Sequence, residues 1–388
     1  MENYNLFTDP KLPTIYEKVK AKKRLSFEEG ITLYESPDIT GVGFIANQSR
    51  EHLNGNVVYY NINQHIDYSN VCILHARCHF CAFARKNMQT EGAWEMSVDE
   101  FLDKAMYSIE HGCTEIHSVG GLHPKLPFDY YLQIIRGLKE RMPDVHLKFF
   151  TAVEVHHFSR IFKMSIEDVL KQLREAGLDS LPGGGAEIFA EETREKICPG
   201  KLSAEGWLEI HDIAHRLGIP TNATMLYGHL ETNEDRVDHL IRLREQQDKS
   251  GGFVTFIPLA FHPANTRLAY LPSTSGLTDL RNIAVSRLML DNMPHIKVYW
   301  IMTGLKTAQI ALSFGADDID GTVTEEKITH MAGADTPEAV SVDALTRLIE
   351  EAGYIPVERD TLYNEIIREG NQWYRKVAHL NMGLQAAP

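Results

Sequence analysis

Ser97-Val-Asp-Glu-Phe-Leu-Asp-Lys-Ala-Met-Tyr-Ser-Ile-Glu-His-Gly-Cys-Thr-Glu-Ile-His-Ser-Val-Gly-Gly121 holds one helix and one strand in sequence. Ser97 and Glu100 have the spacing of a capping box, in which each side chain accepts from the other's exposed amide. Val98, Phe101, Leu102, Ala105, Met106 and Ile109 follow at helical spacing, and Gly112 stands where a helix ends. The run 115–121 then reads as a strand that breaks at Gly120-Gly121.

The same unit recurs along the chain. Toward the C-terminus, a helix over 130–141 is stopped by Pro143 and leads to a strand over 146–152. A helix over 166–176, closed by Gly177, precedes a short strand at 179–182 that runs into Gly183-Gly-Gly185. Strands over 220–226, 252–258, 297–302 and 317–321 alternate with helices over 207–217, 235–247, 280–289 and 307–314. Toward the N-terminus, 71–74 reads as the first strand. About eight such units in 388 residues predict an α/β fold, a parallel (β/α)8 TIM-type barrel. Residues 56–330 would form the barrel core, with 1–55 as an N-terminal helical extension capping it and 331–388 as a C-terminal helical extension. An open doubly wound sheet is the weaker alternative, because Gly183-Gly-Gly185 does not match the dinucleotide-binding fingerprint.

Composition narrows the class. A formal net charge of −14 without a long basic run argues against a nucleic-acid surface. No segment approaches the roughly 18 apolar residues of a membrane span, and residues 1–10 have no signal-peptide pattern. Five cysteines, an odd number and mostly clustered, do not suit a disulfide framework and place the protein in a reducing cytoplasm. Eighteen histidines suggest a metal hydrolase, but the adjacent His156-His157 pair points in two directions and no His-Glu-x-x-His spacing occurs.

Three of the five cysteines, Cys72, Cys78 and Cys81, lie within Asn70-Val-Cys-Ile-Leu-His-Ala-Arg-Cys-His-Phe-Cys-Ala-Phe-Ala-Arg85. Thiolates grouped this tightly suit a soft metal centre. Three rather than four would leave one corner of a four-iron cluster open to an outside ligand. Placed after the first strand, their loop lies on the catalytic face of a barrel. The alternative is structural zinc with His75 or His79 as a fourth ligand, in a barrel that acts as a binding protein. Cys113 and Cys198 each stand alone and read as packed side chains.

A three-cysteine loop with Phe80 before the last cysteine resembles that of the radical S-adenosylmethionine (SAM) enzymes. The family's usual three residues between the first two cysteines are five here, while the two between Cys78 and Cys81 are standard. The resemblance implies a [4Fe-4S] cluster on Cys72, Cys78 and Cys81, with S-adenosyl-L-methionine as cofactor and co-substrate. It also implies cofactor binding by Phe80, Gly120, Gly121, Glu154, Gly184, Gly185 and Glu187. Segments 178–187, 222–231, 251–253 and 261–266 look most like the branch containing the menaquinone (futalosine) pathway enzymes and the deazaflavin synthases. Ile197-Cys-Pro with Leu226-Tyr-Gly-His229 resembles the aminofutalosine synthases more than the cyclic dehypoxanthinyl futalosine synthases or the deazaflavin-forming relatives.

For such an enzyme the resemblance implies addition of a 5′-deoxyadenosyl radical to 3-[(1-carboxyvinyl)oxy]benzoate, giving 6-amino-6-deoxyfutalosine, methionine and CO2 or bicarbonate. An external one-electron donor such as flavodoxin or ferredoxin would be the partner. The two substrate carboxylates need donors or positive charge. Asn222, Thr224, Tyr227, His229, His262, Asn265 and Arg267, at the ends of the fifth and sixth strands, are the candidates.

Overall fold

The computed structural model describes residues 6–369 and 372–376. Its barrel strands are short and pair in parallel. The first strand comes in two halves, and the break lets it serve two neighbours. Its first half, Val57–Asn61, pairs with Asp318–Gly321, and its second half, Asn63–His65, pairs with Glu115–Ser118. The ladder runs on through His146–Phe149, the bridge residues Ser180 and Leu181, Thr221–Tyr227, Phe253–Ala260 and His295–Ile296. A bridge from Lys297 to Asp318 returns it to the eighth strand, and the ring closes. This is the parallel (β/α)8 barrel that the alternating pattern predicts.

Two strands lie elsewhere than the sequence suggested. Residues 71–74 form no strand: Val71 makes a single bridge to Arg85 inside a long loop, and the first strand is the Val57-Val-Tyr-Tyr run before it. The seventh strand is His295–Ile296, and Trp300–Thr303 is a helical turn. A capping box turns the chain after the third strand, where Thr151 and Glu154 open the helix Ala152–Phe162. The Ser97–Glu100 box forms as its spacing requires and starts the helix Val98–Glu110.

Side chains alternate across the wall with the two-residue period of a strand. Ile116, Leu147, Ala223 and Met225 are fully buried and do not line the interior cavity, whereas His117, Lys148, Asn222 and Thr224 do. Helices Leu12–Lys20, Phe27–Glu35 and Ile39–Asn54 precede the barrel, and Ile39–Asn54 packs on Gly276–Met289.

The C-terminal segment departs from its predicted helical character. It contains the helix Val342–Glu351, but also Ile355–Glu358, which extends the first strand in parallel, and the hairpin Glu365–Glu369/Gln372–Lys376. Residues 370–371 and 377–388 of that extension, and 1–5 of the N-terminal one, lie outside the described residues. Residues 359–363 plug the N-terminal end of the barrel. Arg359 pairs with Asp318 at 2.6 Å, the Tyr363 hydroxyl donates to Asp318 at 2.6 Å, and the Thr361 hydroxyl donates to Glu115.

Candidate active site in the barrel

Between the first strand and the helix Val98–Glu110, residues 66–97 form a loop whose middle carries the cysteines. Its base is stitched by main-chain bonds from the Cys72 N–H to the Arg85 carbonyl (2.9 Å) and from the Arg85 N–H to the Asn70 carbonyl (2.8 Å). The Arg85 guanidinium donates to the carbonyls of Ala82, Phe83 and Ala84 at 2.8–3.1 Å. From outside, the His79 N–H donates to Ile197 (2.7 Å), and Arg267 donates to the carbonyls of His79 (3.0 Å) and Ala76 (2.5 Å).

Cys72, Cys78 and Cys81 all face a cavity of about 340 Å³ that runs down into the barrel. Burial pushes the Cys78 thiol up to about 12 and raises that of Cys72, and neighbouring thiols add to both shifts. Backbone N–H groups of Leu122 and Leu74 favour a thiolate at Cys72. Among the described residues, no three His, Cys, Asp or Glu side chains are placed to hold a single metal ion.

Gly120 and Gly121 press against this loop. A Cβ on Gly121 would stand 2.2 Å from the Val71 carbonyl oxygen, and one on Gly120 would stand 2.4 Å from the Tyr68 ring. The pair is therefore required by packing against the cysteine segment itself. Glu154 holds it there. One carboxylate oxygen accepts from the Tyr68 hydroxyl (2.7 Å) and the Gly120 N–H (3.0 Å), and the other accepts from the Thr151 N–H (2.7 Å) and hydroxyl (2.8 Å). Burial nonetheless pushes its carboxyl up to about 7. With four donors engaged, Glu154 has no acceptor capacity left for a ribose hydroxyl; it is a brace.

Gly183, Gly184 and Gly185 form another part of the wall, and Gly185 adopts φ +93°, where glycine is favoured. Beside them, Glu187 meets Lys201 at 2.5 Å, and the Lys201 ammonium lies 5.1 Å from the centre of the Phe80 ring. Lys201 escaped the sequence reading, since a lysine after Cys198-Pro-Gly reads as solvated. Its burial beside Glu187 and Cys78 places a fixed positive charge against the cysteine cradle.

The expected substrate residues divide. Asn222, Thr224 and His262 line the cavity. Tyr227, His229, Asn265 and Arg267 do not. The Tyr227 hydroxyl donates to Asp279 (2.8 Å), and His229 lies 3.0 Å from Glu231. Asn265 is exposed and donates to the Met331 carbonyl (3.0 Å), while Arg267 braces the cysteine loop. Strand-end position could not reveal this, because these four side chains are taken up by loops. His157 likewise serves the fold, bonding the His123 carbonyl at 2.9 Å.

A family model for the radical SAM superfamily matches residues 67–243, and one for the CofH/MqnC C-terminal region matches residues 250–370. The aminodeoxyfutalosine synthase of Thermus thermophilus is 52% identical over 92% of this chain and 96% of its own length. That of Streptomyces coelicolor is 46% identical over 91% and 93%. The 5-amino-6-(D-ribitylamino)uracil–L-tyrosine 4-hydroxyphenyl transferase of Methanopyrus kandleri is 41% identical over 83% and 88%. In fold, the chain matches methylornithine synthase with a TM-score of 0.71 at 19% identity, covering 88% of this chain and 97% of that one. The chain belongs to the radical SAM superfamily and is an enzyme of that class. Within it, the match over residues 250–370 and these relatives put it in the branch that carries the CofH/MqnC C-terminal region.

Proposed function

We propose that this enzyme is an aminodeoxyfutalosine synthase, acting on 3-[(1-carboxyvinyl)oxy]benzoate in menaquinone biosynthesis. The observation that carries the reading is the set of three free cysteines lining one cavity of the barrel, in a chain 52% identical to such a synthase. The donor set suits the group. Three free thiols on one loop that line one cavity, with two glycines packed against that loop, fit a [4Fe-4S] cluster with one corner left to S-adenosylmethionine. When bound, that pair supplies the 5′-deoxyadenosyl radical, which adds to the enol ether.

The chain's own residues confine and align. The Cys72, Cys78 and Cys81 thiolates hold the cluster, and Arg85 and Arg267 fix the loop that carries them. Phe80, Gly120, Gly121, Gly184, Gly185 and Glu187 line the space for S-adenosylmethionine. Asn222, Thr224 and His262, with the apolar Leu226, Ile257 and Leu259, surround the substrate and exclude water from a reactive carbon centre. The electron comes from an external one-electron donor such as flavodoxin or ferredoxin, and the enzyme works in the cytoplasm. No helix among the described residues is long and apolar enough to cross a membrane.

Product mass tests the assignment. Anaerobic protein given reductant, S-adenosylmethionine and the enol ether should form an adduct that retains the adenosyl carbons. Free 5′-deoxyadenosine as the sole nucleoside product refutes it and points to the cyclase or deazaflavin-type chemistry.

A further inference from the structure

The middle of this barrel is charged where branched apolar side chains normally fill it. His65, His117 and Lys148 form one register row across the first three strands, His65 opposite His117 and His117 opposite Lys148. All three face the cavity, and Lys297 and Asp320 face it from the seventh and eighth strands. The two lysine side chains are only 6% and 3% exposed. Each ammonium has a single hydrogen-bonding carboxylate, Glu115 at 2.5 Å for Lys148 and Asp320 at 2.6 Å for Lys297. An ammonium has three N–H donors, so on both lysines donors remain without a protein partner where they face the cavity.

The imidazoles add to this. His117 Nδ1 is buried without a partner among the described residues. His65 packs with its ring centre 4.4 Å from that of His117 and stacks on Tyr299 at 6.3 Å. Burial keeps both rings neutral, so each has an N–H to donate and a flat face to offer. Beneath the row, Glu115 at the start of its strand is tied to Thr361 of the plug, so this layer faces the end of the barrel opposite to the one that carries the cysteine loop. Buried donors left unpaired are costly, so these groups are poised to take up a polar ligand or water.

We propose that Lys148, Lys297, His65 and His117 form the carboxylate-binding end of the substrate site and receive the ring carboxylate of an aryl acid. The inference rests on the synthase reading and extends it. The ring carboxylate lies at the far end of the molecule from the reacting double bond, so seating it on this floor turns the double bond up toward the cysteine loop. The aromatic ring then lies between the imidazoles and Tyr299 on one side and Ile257 and Leu259 on the other.

The test compares 3-[(1-carboxyvinyl)oxy]benzoate with its ring carboxamide. The wild-type holoenzyme should favour the acid in kcat/KM by at least about tenfold, the worth of one charge-assisted hydrogen bond. In Lys297→Met, and in Lys297→Met/Asp320→Asn where no charge is left unpaired, that preference should collapse to within about twofold. His117→Phe removes an unpartnered group without leaving a buried charge and should raise KM for the acid more than for the amide. Calorimetric titration of the acid into cluster-free protein should show the same ranking. If wild type prefers the acid and all three variants keep that preference, the carboxylate binds elsewhere and the inference is wrong. If wild type forms no adduct from either compound, the synthase reading fails and takes the inference with it.

Discussion

Gly121→Ala is the sharpest test of how the cysteine loop is held. The added Cβ would stand 2.2 Å from the Val71 oxygen, 2.6 Å from its carbonyl carbon and 3.0 Å from the Asn70 carbonyl carbon. All three are main-chain atoms, so no side chain can swing aside. Relief requires the two segments to separate by roughly 1 Å, given carbon contacts of about 3.5 Å. That movement breaks the bonds from the Gly121 N–H to Ser69 (2.8 Å) and from the Ile73 N–H to Leu122 (3.1 Å). At about 1 kcal/mol each, plus about 1–3 kcal/mol for overpacking, the expected loss is about 3–5 kcal/mol. Gly276→Ala is the control. It sits at the start of a helix where the new Cβ meets only Thr307 at 3.5 Å, and it should shift stability by no more than about 0.5 kcal/mol. Urea denaturation of cluster-free protein gives the difference, and iron content after anaerobic reconstitution shows whether the loop still takes a cluster. A Gly121→Ala protein as stable as the control, with full iron, refutes the packing argument.

Three further outcomes follow from the geometry. Cys72→Ala, Cys78→Ala and Cys81→Ala should each abolish adduct formation and lower bound iron; full activity in Cys72→Ala would mean that the five-residue spacing has moved a ligand, with His75 the first suspect. Burial pushes Glu231 up, but His229, Arg236 and the Gly228 N–H outweigh it and hold the carboxyl at about 2 rather than 4.5. The stability this contributes, at most about 3 kcal/mol, is complete above pH 4.5 and lost as pH falls toward 2; Glu231→Gln should flatten that acid limb in cluster-free protein, and an unchanged limb counts against the network. Arg85→Lys keeps the charge but loses the guanidinium fork, in which Nε donates to the Glu91 carbonyl (3.1 Å) while Nη1 reaches three others, at about 1–3 kcal/mol; a chelator should strip iron from it several-fold faster than from wild type.

The fold was legible where the local rules are strong. Capping boxes, helix-stopping glycines and apolar periodicity locate the strands from Glu115 onward, all but the seventh, because each βα unit carries its own punctuation. The first strand was misplaced for a physical reason. Val71-Cys-Ile-Leu has the β-rich composition of a strand, but its amides are spent on Arg85 and Leu122 within the loop. The Thr151–Glu154 box was equally visible in the sequence, yet Phe149-Phe-Thr-Ala-Val reads as one continuous apolar strand. At the site, cysteines and glycines stand out because few other residues serve there. Lys148, Lys297 and Lys201 do not, since lysine in sequence reads as solvated and only the assembled barrel shows it buried.

The buried ion pairs on the barrel floor bear on why the C-terminal segment matters. A buried pair is poor at adding stability, and well-packed apolar residues of similar volume would often serve as well or better. Stability therefore does not account for Lys148–Glu115 and Lys297–Asp320, nor for the orphaned His117 nitrogen between them. Their carboxylate partners are in turn set by residues that arrive late in the chain. Thr361 bonds Glu115, and Arg359 and Tyr363 hold Asp318, next but one to Asp320. The paired charges at that end of the barrel thus depend on residues 359–363, although none of those residues lines the cavity itself. The residues of that end come from both family regions: His117 and Lys148 fall within 67–243, and Lys297 and Asp320 within 250–370. In this chain the end of the barrel opposite the cysteine loop is therefore built of paired charges.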